Sequence, residues 1–337
     1  MAGEGPDRGR RSRQGGSREY PRSGDRRRFL AGLLAASGLA ALPAWSRARQ
    51  AYPDLIGRLR LLITRQETIL HEVARRHDLG ILELSAANPG IDPWVPGEER
   101  LVVLPSAHLL PDGPREGILI NLAELRLYVF FEGGRVETHA IGIGREGFET
   151  PRGRTRIVRK RRNPTWYPTK SSRQEDPSLP RAVPPGPDNP LGSRALYLGW
   201  PAYLIHGTNK PYGVGRRVSH GCIRMYPEQI ERLYDQIPVG TPVTVVEQTV
   251  KVGERDGVFW LEAHPDYDQL EELETTYGFT PKAPPASAYA YIRERVGARS
   301  TEIDWYRVDA ELVARRGYPV PITRRHHGGT GEAAGLY

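Results

Sequence analysis

The chain is poorest in cysteine. It holds one, Cys222, in 337 residues. A lone thiol excludes any intramolecular disulfide and any multi-cysteine zinc or iron–sulfur site. Positive charge is also scarcer than it first looks. Of the formal +8, +6 lies in residues 1–48, where ten Arg face four acids, so residues 49–337 carry only +2. A body this close to neutral argues against nucleic-acid binding, which draws on a strongly basic face. Long apolar runs are short too. The stretch from Phe29 to Ala44 falls below the length of a comfortable membrane span. What is present is 38% hydrophobic residues, 37 Gly and 30 Pro, enough apolar material for a sizeable core and a bias toward loops and β-structure.

Arg26-Arg27-Arg28-Phe29-Leu30 followed by that apolar run and by small residues around Ser46-Arg47-Ala48 reads as a basic region, a short hydrophobic region and a cleavage site. It resembles a twin-arginine export signal. Residues 1–50 are therefore expected to be a signal peptide, with the remainder in the periplasm. Export gives the single thiol two possible roles in an oxidising compartment: a buried small residue or a reactive one.

Residues 52–60 read as a connector. Over 61–105 the pattern predicts strand, helix (68–77), helix (81–87) and strand (101–105), with Asn88-Pro89-Gly90 stopping the second helix. This arrangement in residues 51–110 resembles a LysM module, a small α+β unit that binds peptidoglycan glycan strands. From Ile118 the period changes to two: Ile118, Ile120, Leu122, then Leu125, Leu127, Val129, Phe131, with a turn at Gly133-Gly134. Further strands are expected at 136–143, 155–158, 197–200, 203–205 and 242–246, with a helix at 228–237. Residues 160–194, rich in Pro, Arg and Ser, read as a long loop or lid, and the basic run Arg159–Arg162 as a solvated face. After Val250 the signals weaken to a strand near 259–261 and helices at 268–275 and 288–296. Residues 324–337, with His326 and His327, read as a flexible tail whose histidines are solvated.

The densest chemistry is Ile205-His206-Gly207-Thr208-Asn209, then Val218-Ser219-His220-Gly221-Cys222-Ile223-Arg224-Met225. A cysteine nucleophile needs a base, and imidazole suits that task near neutral pH. Gly221 lets the backbone approach a reacting carbonyl. On residue types alone a nucleophilic Cys/His site competes with a structural thiol. A zinc site lacks further ligands at suitable spacing, so no metal and no cofactor is expected.

His-Gly-Thr and Ser-His-Gly-Cys-Ile-Arg, together with Gly142-Ile143-Gly144, Thr150-Pro151-Arg152-Gly153 and Asn189-Pro190-Leu191-Gly192, are similar to the motifs of the L,D-transpeptidase (YkuD) family, in the family's order. The resemblance places a catalytic domain at 115–248 and an extension at 249–337. It implies a mainly β, sandwich-like catalytic fold, a LysM-like domain before it and a cleft under a lid. It implies a Cys222 nucleophile, His206 as general base and later acid, and the Gly207 carbonyl orienting that ring. His220 would shape the loop or donate a hydrogen bond in the cleft, and the Gly221 and Cys222 N–H groups would form the oxyanion hole. Arg224 would bind a substrate carboxylate, Ser219 would fix the loop on the substrate side, and Tyr203 would line the cleft. The implied partners are peptidoglycan stem peptides and glycan strands, and an envelope protein as acyl acceptor in some members. The alternatives are an exported cysteine peptidase or carboxypeptidase trimming wall peptides, and a non-catalytic wall-binding protein. Peptidases of that kind commonly place cysteine before histidine, whereas His206 precedes Cys222.

Overall fold

The structure is a computed structural model that describes residues 52–324. The expected signal segment and the His326-His327 pair lie outside the described residues. Among the described residues no helix is long and apolar enough to cross a membrane.

The segment expected to be a connector is structured. Leu55–Gly57 forms β1, and β2 begins at Arg60 and runs to Ile63. Two short helices follow, α1 (Leu70–Arg76) and α2 (Ile81–Ala87), then β3 (Leu101–Leu104) and β4 (Ala107–Leu109). β2 pairs antiparallel with β3, and β1 with β4. In α1, Glu72 stands in the first turn and Arg75 and Arg76 in the last, which suits the helix dipole. Every residue of α2 is buried. Asn88 ends it with its side chain: Nδ2 donates to the Leu84 and Val103 carbonyls, both at 2.8 Å, and Oδ1 accepts from Val103 N–H at 2.7 Å. One amide thus ties helix end to strand.

The centre is built from β5 (Gly117–Asn121), β6 (Arg126–Phe130), β7 (Val136–Gly144), β8 (Gly153–Arg162), α3 (Lys170–Glu175), β9 (Arg194–Leu198), β10 (Leu204–His206), β11 (Arg217–Ser219), β12 (Ile223–Met225), α4 (Pro227–Gln236) and β13 (Pro242–Val246). The strand order β7-β12-β10-β9-β8-β13-β5-β6 closes on itself, because β6 also pairs with β7; β11 adds outside β7. The two longest strands, β7 and β8, serve both halves of this mainly β layer. Alternation sorts the side chains: Ile118, Ile120, Leu127 and Val129 enter the main core, and Leu119, Tyr128 and Phe130 a second cluster with Leu110.

The basic run belongs to β8 and only partly faces solvent. Lys160 Nζ donates to the carbonyls of Tyr234 and Ile237 at the end of α4, and Arg162 pairs with Asp235. Cations are well placed at a helix C-terminus, where carbonyls lack intrahelical partners. The long loop therefore begins only at residue 163, and it contains α3.

The last part is more regular than its sequence pattern. β14 (Val250–Arg255) and β15 (Val258–Ala263) form a hairpin; α5 (Tyr267–Thr276), α6 (Ala286–Val296), α7 (Trp305–Ala314) and β16 (Val320–Pro321) follow. Val252, Leu261, Ile292, Val296, Val308 and Leu312 make a core of their own. α5 packs on α2, and Gly90 N–H donates to the Tyr277 carbonyl at 2.6 Å. The segment after residue 249 thus docks on the first part of the chain.

A buried polar network joins all three parts. Lys251 Nζ meets Glu124 Oε2 at 2.5 Å, Glu262 Oε1 at 2.8 Å and the Leu109 carbonyl at 2.7 Å. Tyr128 OH and Asn121 Nδ2 donate to Glu124; Leu109 N–H and His264 bond to Glu262. Burial alone would push the Glu262 carboxyl up, but Lys251 and His264 more than offset it and hold its pKa below the usual range. Nearby, Arg126 Nη1 pairs with buried Glu83 at 2.7 Å.

Candidate active site

Cys222 lies at the mouth of β12, and His206 ends β10. These strands run parallel, with Ile205 opposite Ile223 and His206 opposite Arg224. Ile205 and Ile223 are fully buried, so they take the core face. Alternation then puts Leu204, His206, Cys222 and Arg224 on the other face. Continuing the register one step back sets Cys222 beside Leu204, roughly 8 Å from His206 between Cα atoms. That separation lies within reach of a thiol and an imidazole.

The thiol is half-buried. Its Sγ–H points to the Ala202 carbonyl at 3.4 Å, and Leu204 N–H faces the sulfur. Burial pushes the thiol pKa up, against the Leu204 N–H and the positive charge of Arg224. At rest the sulfur is a thiol. The partner is matched to it: burial, then Arg224, lower the His206 pKa to about 4 despite the Gly207 carbonyl. The imidazole is therefore neutral near pH 7. His206 Nδ1 lies 2.5 Å from the Gly207 oxygen. A carbonyl only accepts, so Nδ1 carries the proton and Nε2 keeps its lone pair. The orienting role expected of Gly207 is present in the geometry.

Arg224 was expected to bind a substrate carboxylate. Among the described residues no carboxylate pairs with it, and its Nε is buried without an acceptor. A guanidinium in that state, beside both His206 and Cys222, is a ready site for a carboxylate.

The loop before the cysteine is over-determined. Ser219 is 1% exposed; its Oγ donates to the Cys222 carbonyl at 2.6 Å and accepts from Gly221 N–H at 3.1 Å. Two expectations change. Ser219 is sealed in the loop and offers no surface to substrate. The Gly221 N–H is already engaged by Ser219 Oγ, so of the two expected donors only the Cys222 N–H is left as a candidate. Gly221 itself is required: its φ is +95°, and a Cβ there would lie 2.7 Å from Cε1 of Tyr203. Tyr203 thus packs on the loop as a wall. Thr150, from the Thr-Pro-Arg-Gly turn, donates to the Gly221 carbonyl at 2.8 Å and accepts from Gly144 N–H at 3.1 Å.

His220 points the other way, into the lid. Its Nε2 donates to Glu175 Oε2 at 2.8 Å, and Arg145 Nη2 grips the same carboxylate at 2.6 and 2.7 Å. His220 and then Arg145 hold the Glu175 carboxyl below its ordinary range. Glu175 is the last residue of α3, whose first turn is capped by Thr169. The lid base is held by Asn189, whose Nδ2 donates to the carbonyls of Pro164, Val183 and Pro184 while Oδ1 accepts from Leu191 N–H. Sequence reasoning missed Glu175, Arg145 and the 202–204 cradle. No local spacing announces a pair 30 positions apart.

His108, Glu124 and Glu262 are the one group among the described residues with metal-ligand geometry. Lys251 already supplies the positive charge there, so a cation would have to displace it.

Residues 115–245 match the profile of the L,D-transpeptidase catalytic domain. The probable L,D-transpeptidase ErfK/SrfK of Salmonella typhimurium is 40% identical over 262 residues, covering 75% of this chain and 82% of that protein. This chain belongs to the L,D-transpeptidase family. The Escherichia coli ErfK/SrfK protein is likewise 40% identical over 264 residues, with 75% and 82% covered. The probable L,D-transpeptidase YcfS of Escherichia coli is 38% identical over 273 residues, with 76% and 81% covered. L,D-transpeptidases are acyltransferases acting on peptidoglycan stem peptides, and the mainly β core around β10 and β12 is the catalytic domain of this member.

Proposed function

We propose that this L,D-transpeptidase works through a Cys222 acyl-enzyme. His206 Nε2 takes the thiol proton, and the sulfur attacks the carbonyl of the diamino acid at the third stem position. The Cys222 N–H stabilises the oxyanion. The intermediate expels the terminal D-Ala as an amine, which receives the proton from His206. The amine of a second stem, or a lysine of an envelope protein, then attacks the thioester. Its proton passes to His206, the C–S bond breaks and the thiol is restored. Arg224 holds a carboxylate of the donor stem.

The observation that carries this reading is the pairing of β10 with β12, which sets His206, with its tautomer fixed, opposite Arg224 and one residue from the Cys222 end of the strand, with Arg224 acting on both groups. The strand–helix–helix–strand unit at 60–104 supports a LysM-like role in holding glycan strands. Residues 1–50 support export to the periplasm by the twin-arginine route.

The test is incubation of purified protein with disaccharide tetrapeptide, read by mass spectrometry. A cross-linked dimer supports transpeptidation, tripeptide alone shows hydrolysis, and unchanged substrate rejects the enzyme reading. Cys222→Ser abolishes the product if the sulfur is the nucleophile.

A further inference from the structure

One face of β8 carries a row of arginines without counter-charges. Arg154, Arg156, Arg159 and Arg161 are all exposed. Among the described residues none of the four has an ion-pair partner, whereas Arg152 and Arg162 beside them pair with Glu247 and Asp235. Strict alternation would split the row, because Arg156 and Arg159 are three positions apart. A β-bulge corrects the phase. Ile157, fully buried, lies opposite Leu198, and Arg159 lies opposite Tyr197, so Val158 is the extra residue. The bulge turns Lys160 and Arg162 toward α4 and brings Arg159 and Arg161 onto the side of Arg154 and Arg156. Successive arginines then stand roughly 7 Å apart.

The row shares a sheet face with His206. Arg161 lies opposite Ala195, and Ala195 opposite His206; Arg159 lies opposite Tyr197, and Tyr197 opposite Leu204. Arg161 is thus two strands from His206, roughly 10 Å between Cα atoms. The Tyr197 ring braces Arg159, 3.8 Å from its guanidinium. Both edges of β8 are paired, by β9 and β13, so a partner meets side chains here and cannot add as a strand. The row is one strand wide: toward β13 its neighbours are Pro242 and Thr244, both uncharged. A flat anionic membrane calls for a broad patch with apolar residues to insert, and Val158 is the one large apolar side chain exposed on β8. An extended acidic polypeptide fits better, since its alternate side chains recur at the spacing of the row.

We propose that this row is a docking surface for an extended acidic segment of a partner protein, whose carboxylates at alternate positions pair with Arg154, Arg156, Arg159 and Arg161. The proposal goes beyond the acyl-transfer reading and does not depend on it. Each exposed pair is weak alone, so only a partner whose charges keep the period of the row engages all four. The bulge at Val158 sets that period.

The test is binding to the full-length protein at low ionic strength, read by fluorescence anisotropy. The probes are short labelled peptides: one alternates Glu with Thr, a second holds the same residues with every Glu in one block, and a third has Gln in place of Glu. The alternating peptide binds, the block peptide binds about 10-fold more weakly and the Gln peptide does not bind, and added salt weakens the complex. Arg154→Gln, Arg156→Gln, Arg159→Gln and Arg161→Gln together lower affinity for the alternating peptide about 30-fold, with an unchanged melting temperature. Arg159→Gln alone weakens it about 3-fold, whereas Arg162→Gln, on the α4 side, leaves it unchanged. Equal affinity for the block peptide overturns the assignment, as do equal losses in Arg162→Gln and Arg159→Gln, since either shows a diffuse field and no docking surface. Absence of peptide binding overturns it as well. If the wild-type chain is then retained on vesicles of phosphatidylglycerol and phosphatidylcholine, or on purified wall polymer, and the four-arginine variant is not, the row belongs to that surface. Because the thiol takes no part, protein that forms no thioester yet binds the alternating peptide through the row sinks the chemistry and keeps the docking surface.

Discussion

Two regions of this molecule bury charge in opposite ways. Around Lys251 every ionic group has a partner: the ammonium meets two carboxylates and a carbonyl, and those carboxylates collect further donors from Asn121, Tyr128, Leu109 and His264. Around Cys222 the guanidinium of Arg224 has none among the described residues, and the imidazole and thiol are both held neutral by burial. This paired network joins the three parts of the chain, although the buried Nδ1 of His108 beside it lacks a hydrogen-bond partner. An unsatisfied one costs stability and keeps its valences for substrate. The contrast separates charges spent on building the fold from charges left open to a ligand.

The sharpest way to break the contrast is at the sulfur. Cys222→Ala is expected to lower turnover of tetrapeptide on the order of 10⁴-fold or more, with no thioester by intact-protein mass spectrometry and an unchanged melting curve. The mirror experiment is Lys251→Met. It strands buried carboxylates and is expected to cost about 3–5 kcal/mol in chemical denaturation. Arg224→Met should do the reverse: stability holds or rises, while kcat/KM for tetrapeptide falls about 10- to 100-fold. A protein in which Arg224→Met unfolds and Lys251→Met does not would erase the distinction.

Acidity sharpens it further. His206 is neutral above about pH 4 in the folded protein, against an unfolded value of 6.5. The unfolded chain thus binds the extra proton first, so this residue's contribution to stability declines as pH falls from about 6.5 to about 4. The acid limb of kcat/KM should fall away near pH 4 rather than near 6.5, since the base must be unprotonated. The smallest effect is expected at the lid. Glu175→Gln loosens the grip of His220 and Arg145 and should raise hydrogen exchange across residues 163–193, leaving the melting temperature almost unchanged.

Much of this was legible because it is local. The period-two runs at 118–131 show the β5–β6 hairpin, since each alternate residue must face one side. The proposed Cys222–His206 pair was legible because seventeen positions, 206–222, contain both. What escaped is what distance creates. Strand β13 pairs in parallel with β5 more than 120 positions earlier, and no local pattern encodes that. The Arg145–Glu175–His220 clamp joins three segments. The Gly221 N–H looked free in sequence because the Ser219 hydroxyl that takes it turns back only in the folded loop. Residues 52–60 looked like a connector because β1 is three residues long and acquires its partner from β4.

The closed strand order has a consequence for how the chain is made. Strand β13 sits between β5 and β8, and it is the last of the ring to be synthesised. Any product ending before Pro242 leaves two bare sheet edges, each a template for a neighbouring chain. Premature termination or slow translation in this stretch therefore exposes the nascent chain to aggregation, and the ring gains its seal only when one five-residue strand arrives.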